Sequence, residues 1–215
     1  MQEDDRISVR ALMDEYKKKL QKKPEFTDSV ILYHGSNVRV SEPDINYGRE
    51  DVDFGKGFYL TADYDMASKW ACRKSISIVN EYKISLEGLK VYRFNADKEW
   101  LDFVLANRDL YPFPEQYKEY DVLIGPTADD KLFNMIEMYE DSLISSSMAI
   151  KVINCMNYSF QYVVKTNDGI NNLTYRKSVM LTNDEKQKFK NLYRQDRDEA
   201  NKRTQQILRE INRER

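Results

Sequence analysis

The chain has 215 residues, a net charge of -2 and a hydrophobic content of 41 %. This length predicts one domain with extensions. The hydrophobic residues, which include 15 Tyr and 9 Phe, are enough for a packed core, so disorder of the whole chain is excluded. The near-zero net charge leaves no overall field toward nucleic acid or anionic membranes, so any such contact would be a local patch.

Residue counts narrow the chemistry further. The two cysteines, Cys72 and Cys155, allow no disulfide framework and lie in no C-x-x-C pair, so we expect a reducing compartment, the cytoplasm. No apolar run approaches the ~20 residues of a spanning helix and the N-terminus resembles no signal peptide, so we expect no membrane association. His34 is the only histidine, which excludes a His-rich metal site and disfavours Ser-His-Asp or Cys-His catalysis.

The first elements in chain order are a helix, a strand and a long loop. Residues 6–23 carry apolar side chains at helical spacing and Pro24 ends the pattern, which predicts an amphipathic helix in an extension of residues 1–28. Its lysine-rich end favours a solvated helix terminus over a phosphate site. Residues 29–34 then predict a strand, and residues 37–55 a loop.

The remaining pattern predicts a mixed domain, residues 29–181, and a charged tail, residues 182–215. A strand is expected at Phe58–Thr61 and a helix at 63–72 with Asp63 as its N-cap. Further strands are predicted at 76–84, 89–94, 120–124 and 160–165, and further helices at 98–107, 129–139 and 146–155. We expect the tail to be a helix outside the compact core that docks on a partner, packs on its own domain or is solvated.

Three segments stand out: LYHGS at 32–36, DFGKGFYLT at 53–61 followed by Trp70, and FQYVV at 160–164. Together they resemble the ADP-ribosyltransferase superfamily, in its diphtheria-toxin-like and poly-ADP-ribose-polymerase-like class, with closest likeness to a bacterial branch. The resemblance covers about residues 29–166. It implies an α+β fold in which a split pair of small sheets encloses a cleft for NAD, with no metal required.

The resemblance implies roles for the residues of the first two segments. His34 matches a histidine that bonds a ribose hydroxyl on the adenosine side, and Gly35 matches a glycine whose backbone binds the carboxamide without a Cβ in the way. Ser36 completes this motif as a further NAD contact. Tyr59 and Trp70 match the aromatics that line and cover the nicotinamide ring, where a cationic ring gains ~0.5–2 kcal/mol from stacking.

The loop between these segments supplies further candidates for binding NAD. Arg49 and Lys56 are placed in sequence to meet the pyrophosphate, which favours cationic side chains. Gly57, with the other glycine of the GKG turn, lets the backbone turn sharply beneath the ligand.

The third motif position carries Gln161, where many family enzymes have a glutamate. A glutamine can orient a ribose hydroxyl, but it cannot deprotonate an acceptor, so we do not expect elongation into a polymer. Asp129 and Asp130 are candidates for the acid or base. The alternative is that they are a helix N-cap and a first-turn acid.

The function that the resemblance implies is mono-ADP-ribosyl transfer from NAD to a macromolecule: RNA, DNA or protein. Small bacterial members of this class are often toxins, of toxin–antitoxin or phage-defence type, so an antitoxin is a candidate partner. The alternatives are an NAD glycohydrolase and a catalytically inactive NAD-binding module, which Gln161 favours. A weaker alternative is a nucleic-acid-binding protein that acts through its charged tail. Taken singly, His34, Tyr59 and Trp70 would be ordinary core or surface residues.

Overall fold

The computed structural model describes residues 29–213 except 49, 51, 74, 109–113, 128–129 and 155–157, and only the backbone of 130–134 and 210–213. The predicted N-terminal helix, Arg49, Asp129 and Cys155 therefore lie outside the described residues. The described residues divide into two compact units, one from 29–127 and 159–194 and one from 130–158 and 195–213.

The larger unit contains a seven-stranded sheet in the order β4-β5-β6-β2-β1-β3-β7. Neighbouring strands run antiparallel, except β4 and β5, which run parallel. The predicted α+β class is confirmed, but the described strands form one sheet instead of the expected pair. The strands are β1 Ser29–Ser36, β2 Phe58–Thr61, β3 Ile78–Ser85, β4 Val91–Arg93, β5 Val122–Pro126, β6 Phe160–Val164 and β7 Leu173–Met180.

The helices are divided between the two units. The larger unit holds α1 Tyr64–Ala71, α2 Lys98–Asn107 and α5 Asn167–Asn171, and the smaller holds α3 Asp130–Glu140 and α4 Ser146–Asn154; α6 Asn183–Arg213 contributes to both. Asp63 caps α1 as predicted, because its side chain accepts hydrogen bonds from the backbone of Asp65 and Met66. None of the described helices is both long and apolar enough to cross a membrane.

Alternating side chains place two apolar clusters on opposite faces of the sheet. Leu32, Phe58 and Tyr82 belong to the first cluster. On the other face, α1 packs with β3 and with Phe189 of α6, which is 5 % exposed. Of the three expectations for the tail, packing on its own domain is therefore the one that this part of α6 follows, with Phe189 in a core cluster. An amphipathic helix can bury one apolar stripe while its other faces stay charged, and here Phe189 is buried and Leu192 is half-buried.

Candidate functional site

Strand β1 has two unequal edges. Against β3 it pairs in register along all of Ser29–Ser36, whereas against β2 the structure gives one register pair, Tyr33 with Thr61. One residue further, Nδ1 of His34 lies 2.7 Å from the carbonyl oxygen of Tyr59. Because a carbonyl oxygen can only accept, Nδ1 donates the proton and Nε2 of the neutral ring carries a lone pair. The His34 side chain thus joins β1 to β2 next to the one register pair between these strands.

The surroundings of His34 keep its imidazole neutral. The ring packs on Phe58 with 4.6 Å between the ring centroids. Burial lowers the pKa of His34 below its ordinary value, and the bond to the Tyr59 carbonyl offsets this only in part. Within the described residues, Nε2 has no hydrogen-bond partner. The histidine can therefore accept a hydrogen bond from a ligand hydroxyl.

Asn80, a residue that sequence analysis missed, holds the segment that follows His34. It is fully buried on β3, and its Nδ2 lies 3.4 Å from the His34 carbonyl oxygen and 3.2 Å from that of Val38. Its Oδ1 accepts from the Val40 amide at 3.0 Å and from the Ser178 hydroxyl at 2.6 Å. An asparagine inside an apolar strand is the signal that could have indicated this role, since buried amides need partners.

The side chain of Tyr59 lies on the sheet face opposite to the His34 ring, because adjacent residues on a strand alternate and Phe58 packs against that ring. The Tyr59 hydroxyl donates to the Gly55 carbonyl at 2.7 Å and accepts from the Phe54 amide at 3.1 Å. Tyr59 therefore holds the turn of the DFGKG segment. The two candidate residues meet through a side chain and a backbone group, not through their two side chains.

The glycines of both motifs serve the packing of the fold. A Cβ on Gly35 would lie 2.1 Å from the Ala67 carbonyl oxygen, so the missing Cβ lets α1 pack directly on β1. The expectation that the missing Cβ leaves room for a ligand is thus corrected: α1 fills that space, and the Gly35 backbone is the part of the residue left to bind one. Gly57 packs in the same way on β6, where its Cβ would lie 2.7 Å from Val163 Cγ1. The expected sharp turn is confirmed at Gly55, whose φ of +64° favours glycine.

Gln161 lies beside Thr61 on the neighbouring strand and is 4 % exposed. Its Nε2 donates to the Pro126 carbonyl oxygen at 3.3 Å, and Trp100 Nε1 donates to the same oxygen at 3.2 Å. No described residue donates to Oε1 of Gln161. Since Tyr59 and Thr61 alternate with Leu60 along β2, Gln161 shares the face of Tyr59. Its oxygen can accept a hydrogen bond from a ligand, but an amide supplies no base.

The other candidate residues are less closely placed. Trp70 is half-buried in α1, the helix that packs on Gly35, and Ser36 is half-buried at the end of β1. Lys56 is exposed in the GKG turn. Asp130 begins α3 in the smaller unit, and its side chain is not described.

A second missed residue is Lys165, which follows β6. Its Nζ donates to the Phe54 carbonyl oxygen at 2.6 Å, and burial lowers the pKa of Lys165 to about 8. Beside it, Arg108 forms an ion pair with Asp53 at 2.9 Å. A lysine directly after a buried apolar strand is the only sequence signal of this arrangement.

A model of a family described as a protein of unknown function (DUF3990) matches residues 30–175, more than half of the chain. The chain belongs to the DUF3990 family. No curated protein and no solved structure matches it. The DUF3990 match extends from β1 into β7, so it includes the candidate residues from His34 to Gln161 as well as Lys165. In the part of this DUF3990 chain that the structure describes, no cluster of three acidic, histidine or cysteine residues could hold a metal ion.

Proposed function

We propose that this DUF3990 protein transfers one ADP-ribose unit from NAD to a macromolecular acceptor. The observation that carries the proposal is the adjacency of the three motif segments in the order β6-β2-β1, although they are far apart in the sequence. His34 bonds to the backbone of Tyr59, 25 residues away, and Thr61 bonds to the backbone of Phe160, 99 residues away. The resemblance of these segments to ADP-ribosyltransferases requires such a neighbourhood.

In this proposal NAD crosses the β1–β2 edge, where one register pair joins the strands, and His34 and Gly35 bind its two ends. The free Nε2 lone pair of His34 accepts a hydrogen bond from a ribose hydroxyl on the adenosine side. The backbone of Gly35 binds the carboxamide, and Tyr59 and Trp70 lie against the nicotinamide ring. A cationic ring is bound more tightly than the neutral nicotinamide that forms when the bond breaks, so the product leaves readily.

The chemical step breaks the bond between nicotinamide nitrogen and ribose C1′. The electron pair leaves with nicotinamide, and positive charge develops on the ribose as in other glycosyl transfers. Oε1 of Gln161 accepts from a ribose hydroxyl and so orients the sugar. An acceptor nucleophile then bonds to C1′ and loses its proton. Because Gln161 cannot take that proton, either the acceptor is already deprotonated or a base other than Gln161 takes it.

Gln161 also favours a second candidate function. Its amide is buried and bonded to the Pro126 carbonyl oxygen, and it offers no charge to stabilise the ribosyl cation. This observation favours an inactive NAD-binding module over the other alternative from the resemblance, an NAD glycohydrolase with water as the acceptor. The two alternatives differ in whether nicotinamide is released.

The test incubates the pure protein with adenine-labelled NAD and a bacterial lysate, beside His34→Asn. Asparagine keeps a donor for the Tyr59 carbonyl oxygen but has no counterpart of Nε2, so the strand junction is retained while the ligand contact is lost. We expect label on a macromolecule with the wild type and about a hundredfold less with the variant, the scale of one lost transition-state hydrogen bond. Protease and nuclease sensitivity then identify the acceptor class.

Three other outcomes contradict transfer. Free ADP-ribose without labelled macromolecule indicates hydrolysis, NAD binding without nicotinamide release indicates the inactive module, and absence of NAD binding contradicts the NAD site itself. We also propose a role as a toxin or phage-defence effector that an antitoxin neutralises. Growth arrest on expression of the wild type but not of His34→Asn is the matching test in cells.

A further inference from the structure

The Lys165 ammonium and the Tyr59 hydroxyl meet the same turn. Lys165 Nζ donates to the Phe54 carbonyl oxygen at 2.6 Å, while the Tyr59 hydroxyl contacts the Phe54 amide and the Gly55 carbonyl oxygen. Lys165 thus brings a positive charge from the end of β6 to the DFGKG segment. The sequence suggested Lys56 and Arg49 for such a charge instead.

The ammonium of Lys165 has no counterion among the described residues. The carboxylate of Asp53, next to Phe54 in the chain, is paired with Arg108, at 2.9 Å. An ammonium has three N–H donors, and the Phe54 carbonyl oxygen is the one acceptor that the described residues offer to Lys165. Burial of a cation without an opposite charge is unfavourable, which is why the pKa of Lys165 falls to about 8.

Gly57 allows the lysine stem to lie along the backbone of the turn. A Cβ on Gly57 would lie 3.3 Å from Lys165 Cδ. The Cβ position of Gly55 lies at an ordinary contact distance of 3.7 Å from Lys165 Nζ and is filled by Asn107 Oδ1, at 2.5 Å. The stem therefore packs on the glycine backbone and holds the ammonium beside Phe54. A half-buried point charge beside the turn suits a phosphoryl oxygen, which lysine binds without the fork geometry of arginine.

We propose that Lys165 binds the pyrophosphate of NAD in place of the exposed Lys56. The inference rests on the proposed function, since it takes the dinucleotide as the ligand. In NAD one ribose separates the nicotinamide from the pyrophosphate. A cation at the turn that the Tyr59 hydroxyl contacts is therefore suitably placed if the Tyr59 ring lies against the nicotinamide.

The experiment measures the dissociation constants of NAD, ADP-ribose and nicotinamide by calorimetry. The variants are Lys165→Gln, which retains an N–H donor for the Phe54 carbonyl oxygen without the charge, Lys165→Arg, which retains the charge, and Lys56→Gln as the matched control. We expect Lys165→Gln to weaken NAD and ADP-ribose binding about tenfold or more, as for a lost charged hydrogen bond. Nicotinamide affinity should not change, Lys165→Arg should restore most of the loss, and Lys56→Gln should have little effect.

A second readout is proton uptake. A bound pyrophosphate favours the charged amine, so NAD binding near the pKa of about 8 should draw protons onto Lys165. Calorimetry in two buffers of different ionisation enthalpy measures this uptake, which Lys165→Gln should abolish. A lysine that only anchors the turn would show no such uptake.

Several results would overturn the inference. An equal loss of nicotinamide affinity in Lys165→Gln would mean that Lys165 only positions Tyr59, and unchanged NAD affinity would mean that it does not meet the ligand. If the wild type binds neither NAD nor ADP-ribose, the proposed function fails as well; if it binds NAD, only the assignment of Lys165 is at stake.

Discussion

The two edges of β1 are held in different ways. Its β3 edge pairs in register over eight residues, whereas its β2 edge has one register pair and the bond from His34 to the Tyr59 carbonyl oxygen. The first edge is filled by backbone hydrogen bonds and apolar contacts, which stabilise the sheet. The second places the only histidine of the chain where a lone pair on Nε2 is available. We infer that the β3 edge supports the fold, while in the proposed function the β2 edge is the one that binds NAD.

Gly35 lies on β1 between its two edges, and its substitution should have the largest effect on stability. A Cβ in Gly35→Ala would lie 2.1 Å from the Ala67 carbonyl oxygen and 2.8 Å from the Ala71 amide, both backbone atoms of α1. Because α1 must shift as a unit, we expect a loss of about 3 kcal/mol or more in the free energy of unfolding. Urea unfolding measures the loss.

Gly88→Ala is the control for that prediction. Gly88 has a φ of +76°, and a Cβ there would have no neighbouring atom within 4 Å, so alanine meets backbone strain but no clash. We expect a cost of about 1–2 kcal/mol. If the two variants lose equal stability, contact between α1 and β1 is not what Gly35 provides.

Gln161→Glu tests the β6 side of the site. The carboxylate would face the Pro126 carbonyl oxygen, to which the Gln161 amide now donates at 3.3 Å, and it would be buried. We expect a loss of about 1–3 kcal/mol at neutral pH. Burial would raise the pKa of the new carboxyl above its unfolded value, so the stability is present at acidic pH and is lost as the pH rises through the folded pKa.

Unfolding at acidic and neutral pH measures this effect, with Gln161→Met as a variant that cannot ionise. A pH-independent loss in Gln161→Glu would contradict the buried position of residue 161. For activity, the resemblance predicts a shift toward hydrolysis or elongation. An identical product profile would mean that Gln161 is not at the reaction centre.

Tyr59→Phe should have a smaller effect. The change removes the hydroxyl that joins the Phe54 amide and the Gly55 carbonyl oxygen but keeps the ring. We expect about 1 kcal/mol less stability and nearly unchanged nicotinamide affinity. Urea unfolding and calorimetry measure the two quantities. A loss of affinity as large as that of Tyr59→Ala would mean that the hydroxyl contacts the ligand.

Local pattern was enough to predict most elements of the larger unit. Strands β1, β2 and β6 and helix α2 lie within a residue or two of the expected bounds, because short apolar runs, turn residues and Asp caps define them. Strand β7 was not predicted. It pairs with β3 but exposes much of its surface and carries Arg176 and Lys177. Its sequence therefore lacks the alternation of apolar and polar residues that would indicate a strand.

The sequence predicted the site residues that belong to a motif. It did not predict roles that depend on which residues are buried against each other in the fold. His34, Tyr59 and Gln161 lie on neighbouring strands, as the motifs imply. The packing role of Gly35 depends on a helix that approaches within contact distance, which no spacing in the sequence gives. Asn80 and Lys165 are ordinary residues in the sequence, and only the tertiary structure shows their partners.

The smallest expected effect is the pH dependence that His34 adds to stability. Burial lowers the folded pKa of His34 below the unfolded value of 6.5. At a pH above 6.5 the imidazole is neutral in both the folded and the unfolded chain, so His34 adds no pH dependence to the stability. As the pH falls below 6.5, the unfolded chain takes up a proton that the folded chain resists, so stability falls until the folded pKa is reached. Urea unfolding of wild type and His34→Asn across this range isolates the effect, because the carboxylates are common to both. The two stability curves should separate progressively on acidification; parallel curves would mean that the imidazole is not held neutral at the junction of β1 and β2.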